Sequence, residues 1–102
     1  MNYKSKRAKA CDIAQEVKDK VFERDGGECV FCYNGNAAPN AHYISRAQGG
    51  KGIEQNILTL CTVCHDRYDK TTDRKQMRLF FKKYLQSKYA DWKEEDLIYK
   101  KY

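Results

Sequence analysis

Four of the five cysteines fall into two Cys-x-x-Cys pairs, Cys29 with Cys32 and Cys61 with Cys64. Two residues between thiolates let a chain turn around one ion, and four sulfurs suit a closed tetrahedral zinc site. The 28 residues between the pairs exceed the gap of roughly 15–20 in a zinc ribbon, so more than a simple hairpin is expected there. Lys plus Arg number 20 against 14 Asp plus Glu, a net charge of +6 that suits a polyanion such as nucleic acid without requiring one. No apolar run approaches the roughly 18 residues of a membrane span, and MNYKSKRAKA lacks the apolar stretch of a secretory signal. A cytoplasmic chain with no membrane partner is therefore expected. In that reducing compartment paired thiols favour metal over disulfides. Cys11 stands outside the pairs and reads as a small buried helix residue.

Both histidines lie at or beside the insert, in AHYISRAQGGKGIEQNILTLC and the following TVCHDRYD. In order, the string runs His42, Gly49 and Gly50, Asn56, then Leu60, Cys61, Cys64 and His65. This ordered string resembles the HNH endonuclease family, and the flanking segments are similar to those of its small phage-type members. The resemblance implies an α+β protein. Its ββα-metal (His-Me finger) core would span about residues 28–72, stapled by a structural Zn2+ on Cys29, Cys32, Cys61 and Cys64, with helices on either side. It also implies hydrolysis of DNA phosphodiesters with a divalent ion, Mg2+ or Mn2+. Carried over by position, His42 is the general base, Asn56 the orienter of its ring and His65 a ligand of the catalytic ion. The context implied is a bacterial host cell if the chain is phage-encoded, with a phage packaging or other targeting protein as a candidate partner and the oligomeric state open.

The chemistry supports these roles independently. Phosphodiester hydrolysis needs a deprotonated water in line with the leaving oxygen and a cation near the developing charge. An imidazole with an ordinary pKa of about 6.5 is mostly neutral and basic near pH 7. One position departs from the family string: many members carry a His or Asp ligand immediately before the general base, where this chain has Ala41. Asp69, four residues after His65 and on the same helical face, is the expected replacement. The ion site is then either completed by Asp69 or unusually open.

These residues need elements to carry them. Residues 1–9, with Lys4, Lys6, Arg7 and Lys9, read as a flexible basic arm, and residues 10–102 as one nuclease domain. Ile13, Val17 and Val21, with Ala14 and Phe22, predict one amphipathic helix ended by Gly26 and Gly27. NGNAAPN reads as a loop; AHYIS and NILTL read as short strands that pair across a glycine-rich connection. HDRYD predicts a short helix broken at the threonines. A longer helix follows near Asp73, with Met77, Phe80, Phe81, Tyr84 and Leu85 as its apolar stripe. DWKEEDLIY reads as a short last helix with Asp91 and Glu94 as a capping box.

Arg46 and Lys51 flank the glycine-rich loop, and Arg67, Arg74, Arg78 and Lys82 extend a basic track, so these six are the expected DNA-phosphate contacts. A solvated helix face accounts for the last three equally well. Taken singly, His42 also fits a surface strand residue, Asn56 a turn residue and His65 a spare zinc ligand. Two alternatives to a DNA endonuclease stay open on the sequence: a noncatalytic zinc module that binds DNA or protein, and an RNA-directed nuclease.

Overall fold

The computed structural model describes residues 5–100. The basic segment expected to be an arm is helical from Lys6. Helix α1 (Lys6–Cys11) starts where the Ser5 hydroxyl accepts the Ala8 N–H. Lys4 and the rest of residues 1–4 lie outside the described residues. Helix α2 (Gln15–Arg24) starts after Ile13 and Ala14, which the apolar periodicity places on it. The late start has a tertiary cause. Gly52 N–H donates to Ala10 O, and a Cβ on Gly52 would stand 2.0 Å from Asp12 O. The linker at residues 12–14 is thus pressed onto a distant loop. Helix α2 ends at Gly26 and Gly27, both at φ 71°, as expected. Val21 is fully buried, whereas Phe22 is half-exposed.

Strand β1 (Ala37–His42) starts four residues earlier than the alternation of AHYIS suggests and ends at His42. Strand β2 (Ile57–Cys61) is buried throughout. The two pair antiparallel, His42 opposite Ile57 and Ala37 opposite Cys61, with a register irregularity between Ala38 and Ala41. Pro39 lies in that gap. It has no N–H for the ladder, so the strand tolerates it only where the pairing slips. Helix α3 (Thr62–Lys70) follows β2 directly, and after a break at residues 71–73, helix α4 (Arg74–Lys88) runs back across the core. Its apolar stripe appears as Met77, Phe81 and Leu85 fully buried, with Phe80 at the rim.

The expected last helix is only a 3-10 turn, Glu94–Leu97, and the capping box does not form. Glu94 is drawn elsewhere: its Oε1 accepts the Tyr43 hydroxyl at 2.5 Å, and its Oε2 pairs with Arg78 at 3.4 Å. The core lies between the sheet, α3 and α4, where Tyr43 meets Trp92 edge-on and Tyr68 meets Phe81. Helix α2 is tied to it by a buried polar knot. Arg24 grips Asp25 through two nitrogens and also donates to Glu54 O, Ile57 O and the Tyr89 hydroxyl. Asp25 in turn accepts from Thr59 N–H and from the Tyr84 hydroxyl. The molecule is therefore a small α+β structure with a two-stranded antiparallel sheet and a cluster of four cysteines.

Candidate functional site

The four paired cysteines converge, with all four Sγ atoms within 4.8 Å of one another and Cys32 Sγ 3.5 Å from Cys61 Sγ. Tetrahedral zinc–sulfur bonds of about 2.3 Å place ligand sulfurs roughly 3.8 Å apart, so this cluster could hold a zinc ion. The first pair sits on a turn closed by Cys29 N–H to Asn34 O and Tyr33 N–H to Cys29 O, with Tyr33 left-handed at φ 68°. The second pair straddles the end of β2 and the first turn of α3, where Cys61 Sγ accepts the Cys64 N–H. Burial raises the Cys29 thiol, but the backbone N–H groups of Cys32, Cys61 and Phe31 outweigh it and bring the pKa down to about 7. Burial and the neighbouring sulfurs instead push Cys64 up. Cys29 is thus ready to ionise, whereas Cys64 needs a cation nearby to release its proton. Cys11 is buried at the end of α1, away from this cluster.

The second centre is a cleft of about 620 Å³. Strand β1 contributes Asn40 and His42, the following loop Ser45, Arg46, Ala47 and Gln48, helix α3 His65 and Asp69, and helix α4 Arg74. Alternation along β1 sends Asn40 and His42 to this face and Ala41, fully buried, to the core. No donor comes from position 41. His65 Nε2 and Asp69 Oδ2 lie 3.1 Å apart across one turn of α3, as their spacing predicts.

The His42 ring is held by a group that sequence reasoning did not find. Its Nε2 lies 2.9 Å from the Cys11 carbonyl, which also accepts from Arg46 Nη1 at 2.9 Å. A carbonyl has no proton to give, so Nε2 is the donor and the neutral ring keeps its lone pair on Nδ1. Burial lowers the His42 pKa below its ordinary value; the Cys11 bond opposes this, the Arg46 charge adds to it, and Asp69 and His65 pull in opposite directions. Since the contact is to backbone, no residue type at position 11 announces it.

Asn56, expected to orient this ring, bonds the backbone that directly follows His42. Its fully buried amide accepts from Ile44 N–H at 2.8 Å and donates to Ile44 O at 3.1 Å and Lys51 O at 2.8 Å. Its own carbonyl accepts Tyr43 N–H at 2.7 Å. Asn56 therefore clasps both ends of the loop that leaves His42. Gly49 takes φ 87° within that loop, and Gly50 has no room for a side chain, since a Cβ would sit 1.7 Å from Ile44 O. Glu54 points away and accepts from the Tyr89 hydroxyl.

The six basic candidates divide. Arg46 and Arg74 line the cleft. Arg74 donates to Tyr68 O and lies 4.2 Å from the Tyr68 ring centre, a held rather than a waving guanidinium. Arg46 is braced by Asp12 at 2.7 Å. Arg67 pairs with Asp73, while Arg78 and Lys82 gather around Glu94, and none of these three lines the cleft. Lys51 does not line the cleft; its N–H donates to Leu97 O of the last 3-10 turn and its carbonyl accepts from the Asn56 amide. Asn40 is a cleft residue that the sequence reading put in a loop; its place two residues before His42 on an extended segment was the available signal.

The fold and these two centres define a class: a small ββα structure with a cysteine cluster that could hold zinc and a cleft lined by two histidines. Residues 37–71 match the sequence profile of the HNH endonuclease domain, a span covering β1, the loop, β2 and α3. An anaredoxin of Nostoc sp. (strain PCC 7120 / SAG 25.82 / UTEX 2576) is 32% identical over 57 residues, which make up 55% of this chain and 75% of that protein. The chain belongs to the HNH endonuclease family. No helix among the described residues is long and apolar enough to cross a membrane.

Proposed function

We propose that the chain is a metal-dependent DNA endonuclease whose general base is His42, in a single domain stapled by a structural zinc on Cys29, Cys32, Cys61 and Cys64. The observation that carries this reading is the His42 ring itself. It lines the cleft with Nε2 committed to the Cys11 carbonyl, so Nδ1 is the nitrogen free to take a proton. Nδ1 removes a proton from water as the water oxygen bonds to phosphorus. The bond from phosphorus to the leaving sugar oxygen breaks; that oxygen takes a proton from solvent water, His42 later returns its own to solvent, and the products are a phosphate monoester and a sugar hydroxyl. Arg46 and Arg74 draw the phosphate in, and Arg74 is positioned for it by Tyr68.

His65 and Asp69 form an adjacent nitrogen and oxygen donor pair on the cleft wall, which fits an open divalent site with room for water and phosphate oxygens. Mg2+ or Mn2+ bound there supplies Lewis-acid stabilisation of the leaving oxygen. Asn56 acts by holding the loop that carries Arg46.

Supercoiled plasmid incubated with the protein and Mg2+ or Mn2+ is expected to become nicked or linear. His42→Ala should slow this by about 10²–10⁴-fold, and chelation of the added metal should stop it. Plasmid left intact under every metal overturns the reading in favour of a noncatalytic zinc module. Faster cleavage of RNA than of DNA in the same assay moves the substrate to RNA.

A further inference from the structure

The cleft does not end at His42. A second concavity of about 330 Å³ opens beside it, lined by Asp12, Ile13 and Lys18, and shares Asn40, His42 and Arg46 with the first. Because three side chains belong to both, the two hollows are arms of one groove with His42 at their junction. One arm runs towards Arg74 on α4; the other runs under α2. Hydrolysing a single phosphodiester needs only the first arm, which contains the donor pair and Arg74. The second arm therefore has a separate use.

Its charge indicates which. Arg46 and Lys18 bring two cations against one carboxylate, Asp12, which Arg46 engages at 2.7 Å. Lys18 is half-buried and lines this concavity, so its stem lies along the wall and its ammonium is within reach of a phosphate in the groove. A nucleic-acid strand carries one negative charge at each linkage, so a phosphate seated at His42 brings others with it along the groove. We infer that the α2 arm is a second phosphate subsite, in which Lys18 binds a backbone phosphate next to the scissile one and Asn40 lies between the two. The substrate is then a polynucleotide extending past the cut along the α2 arm, not an isolated phosphodiester. This rests on the nuclease reading above.

The test compares wild type, Lys18→Ala, Lys18→Arg and Lys20→Ala, the last an exposed α2 lysine that lines neither arm. Each is assayed on labelled duplex DNA and on bis(p-nitrophenyl) phosphate, a diester too small to reach α2. Duplex affinity is measured across a salt series. Lys18→Ala should weaken duplex binding severalfold and flatten the salt slope by about one unit. It should also raise KM on DNA without lowering kcat, and leave the small diester unaffected. Lys18→Arg should restore binding, and Lys20→Ala should match wild type. Unchanged DNA binding in Lys18→Ala, or equal losses on DNA and on the small diester, overturns the subsite and leaves the nuclease reading intact. If wild type hydrolyses neither substrate, the nuclease reading falls, and the salt slope of Lys18→Ala alone decides the subsite.

Discussion

A histidine serves as a base only while one nitrogen keeps its lone pair, and two features secure that for His42. The Cys11 carbonyl fixes which nitrogen carries hydrogen, and burial holds the ring neutral. The consequence for pH has a definite sign. The lowered pKa means that the neutral, active form persists below the ordinary pH of about 6.5 and is lost only as pH falls through the lowered value. The acid limb of log kcat/KM should therefore lie below pH 6.5 with unit slope. Arg46→Gln removes a charge that lowers this pKa and should move the limb upward. A limb above pH 6.5 in wild type would contradict the assignment. At this scale the sequence was legible where side chains do the work: His42, His65 and Asp69 all line one cleft. It was illegible where backbone does it. Nothing about Cys11 as a residue type shows that its carbonyl will meet an imidazole 31 positions away. For Asn56, an amide that can donate and accept gives no hint that its partners are Ile44 and Lys51.

The elements matter through the way they press on the loop between β1 and β2. Gly50 N–H bonds Ser45 O, and the residue bridges to Ile98 near the C-terminal end. A methyl group there would collide with Ile44 O at 1.7 Å and Ile44 C at 2.6 Å, both backbone atoms that cannot rotate aside. Gly50→Ala should cost about 3 kcal/mol, at the upper end of overpacking losses, and shift Arg46 and Gln48 enough to depress cleavage. Gly35→Ala meets nothing within 4 Å and should be neutral. Urea denaturation of the pair, with m unchanged, reads this difference directly. Equal stability of the two variants would mean that the loop yields easily and does not hold Arg46. The same close approach explains what periodicity misjudged. Ile13 and Val17 continue the spacing of one helix through residues 12–14, but a local apolar pattern is blind to Gly52, which occupies the space beside Asp12 O. The second strand, the α3–α4 break and the stripe on α4 were legible because each follows from neighbours in the chain, whereas β1 begins inside the segment NGNAAPN that reads as a loop, because its pairing with β2 and not its own residue types makes it a strand. The Glu94 capping box failed because Tyr43 and Arg78, far away in sequence, compete for the same carboxylate.

For the molecule as a whole, the question is what holds so small a core together. Cys29, Cys61 and Cys64 are themselves members of the central apolar cluster, so the proposed zinc site is part of the core, not an ornament on its edge. Structural zinc contributes on the order of 10–16 kcal/mol of apparent folding energy. That is of the same order as the roughly 5–15 kcal/mol by which a domain is stable at all. Removing the metal should consequently abolish the folded state, with the buried Arg24–Asp25 knot too little to retain it. Trp92 makes this measurable. It lies against Tyr43 and donates to Gln55 O, outside the cysteine cluster, so its fluorescence reports the body of the protein and not the clip alone. Titration with a strong zinc chelator should move the Trp92 emission to that of the urea-unfolded chain in one cooperative step together with the far-UV circular dichroism, and added Zn2+ should reverse both. Cys29→Ser should begin closer to that unfolded state, since it removes the thiol most ready to ionise. A native Trp92 signal that survives complete zinc removal would show instead that the clip fixes only the knuckle turn and the start of α3. His65 and Asp69 follow Cys64 on that same helix, so cleavage would then be lost before the fold was.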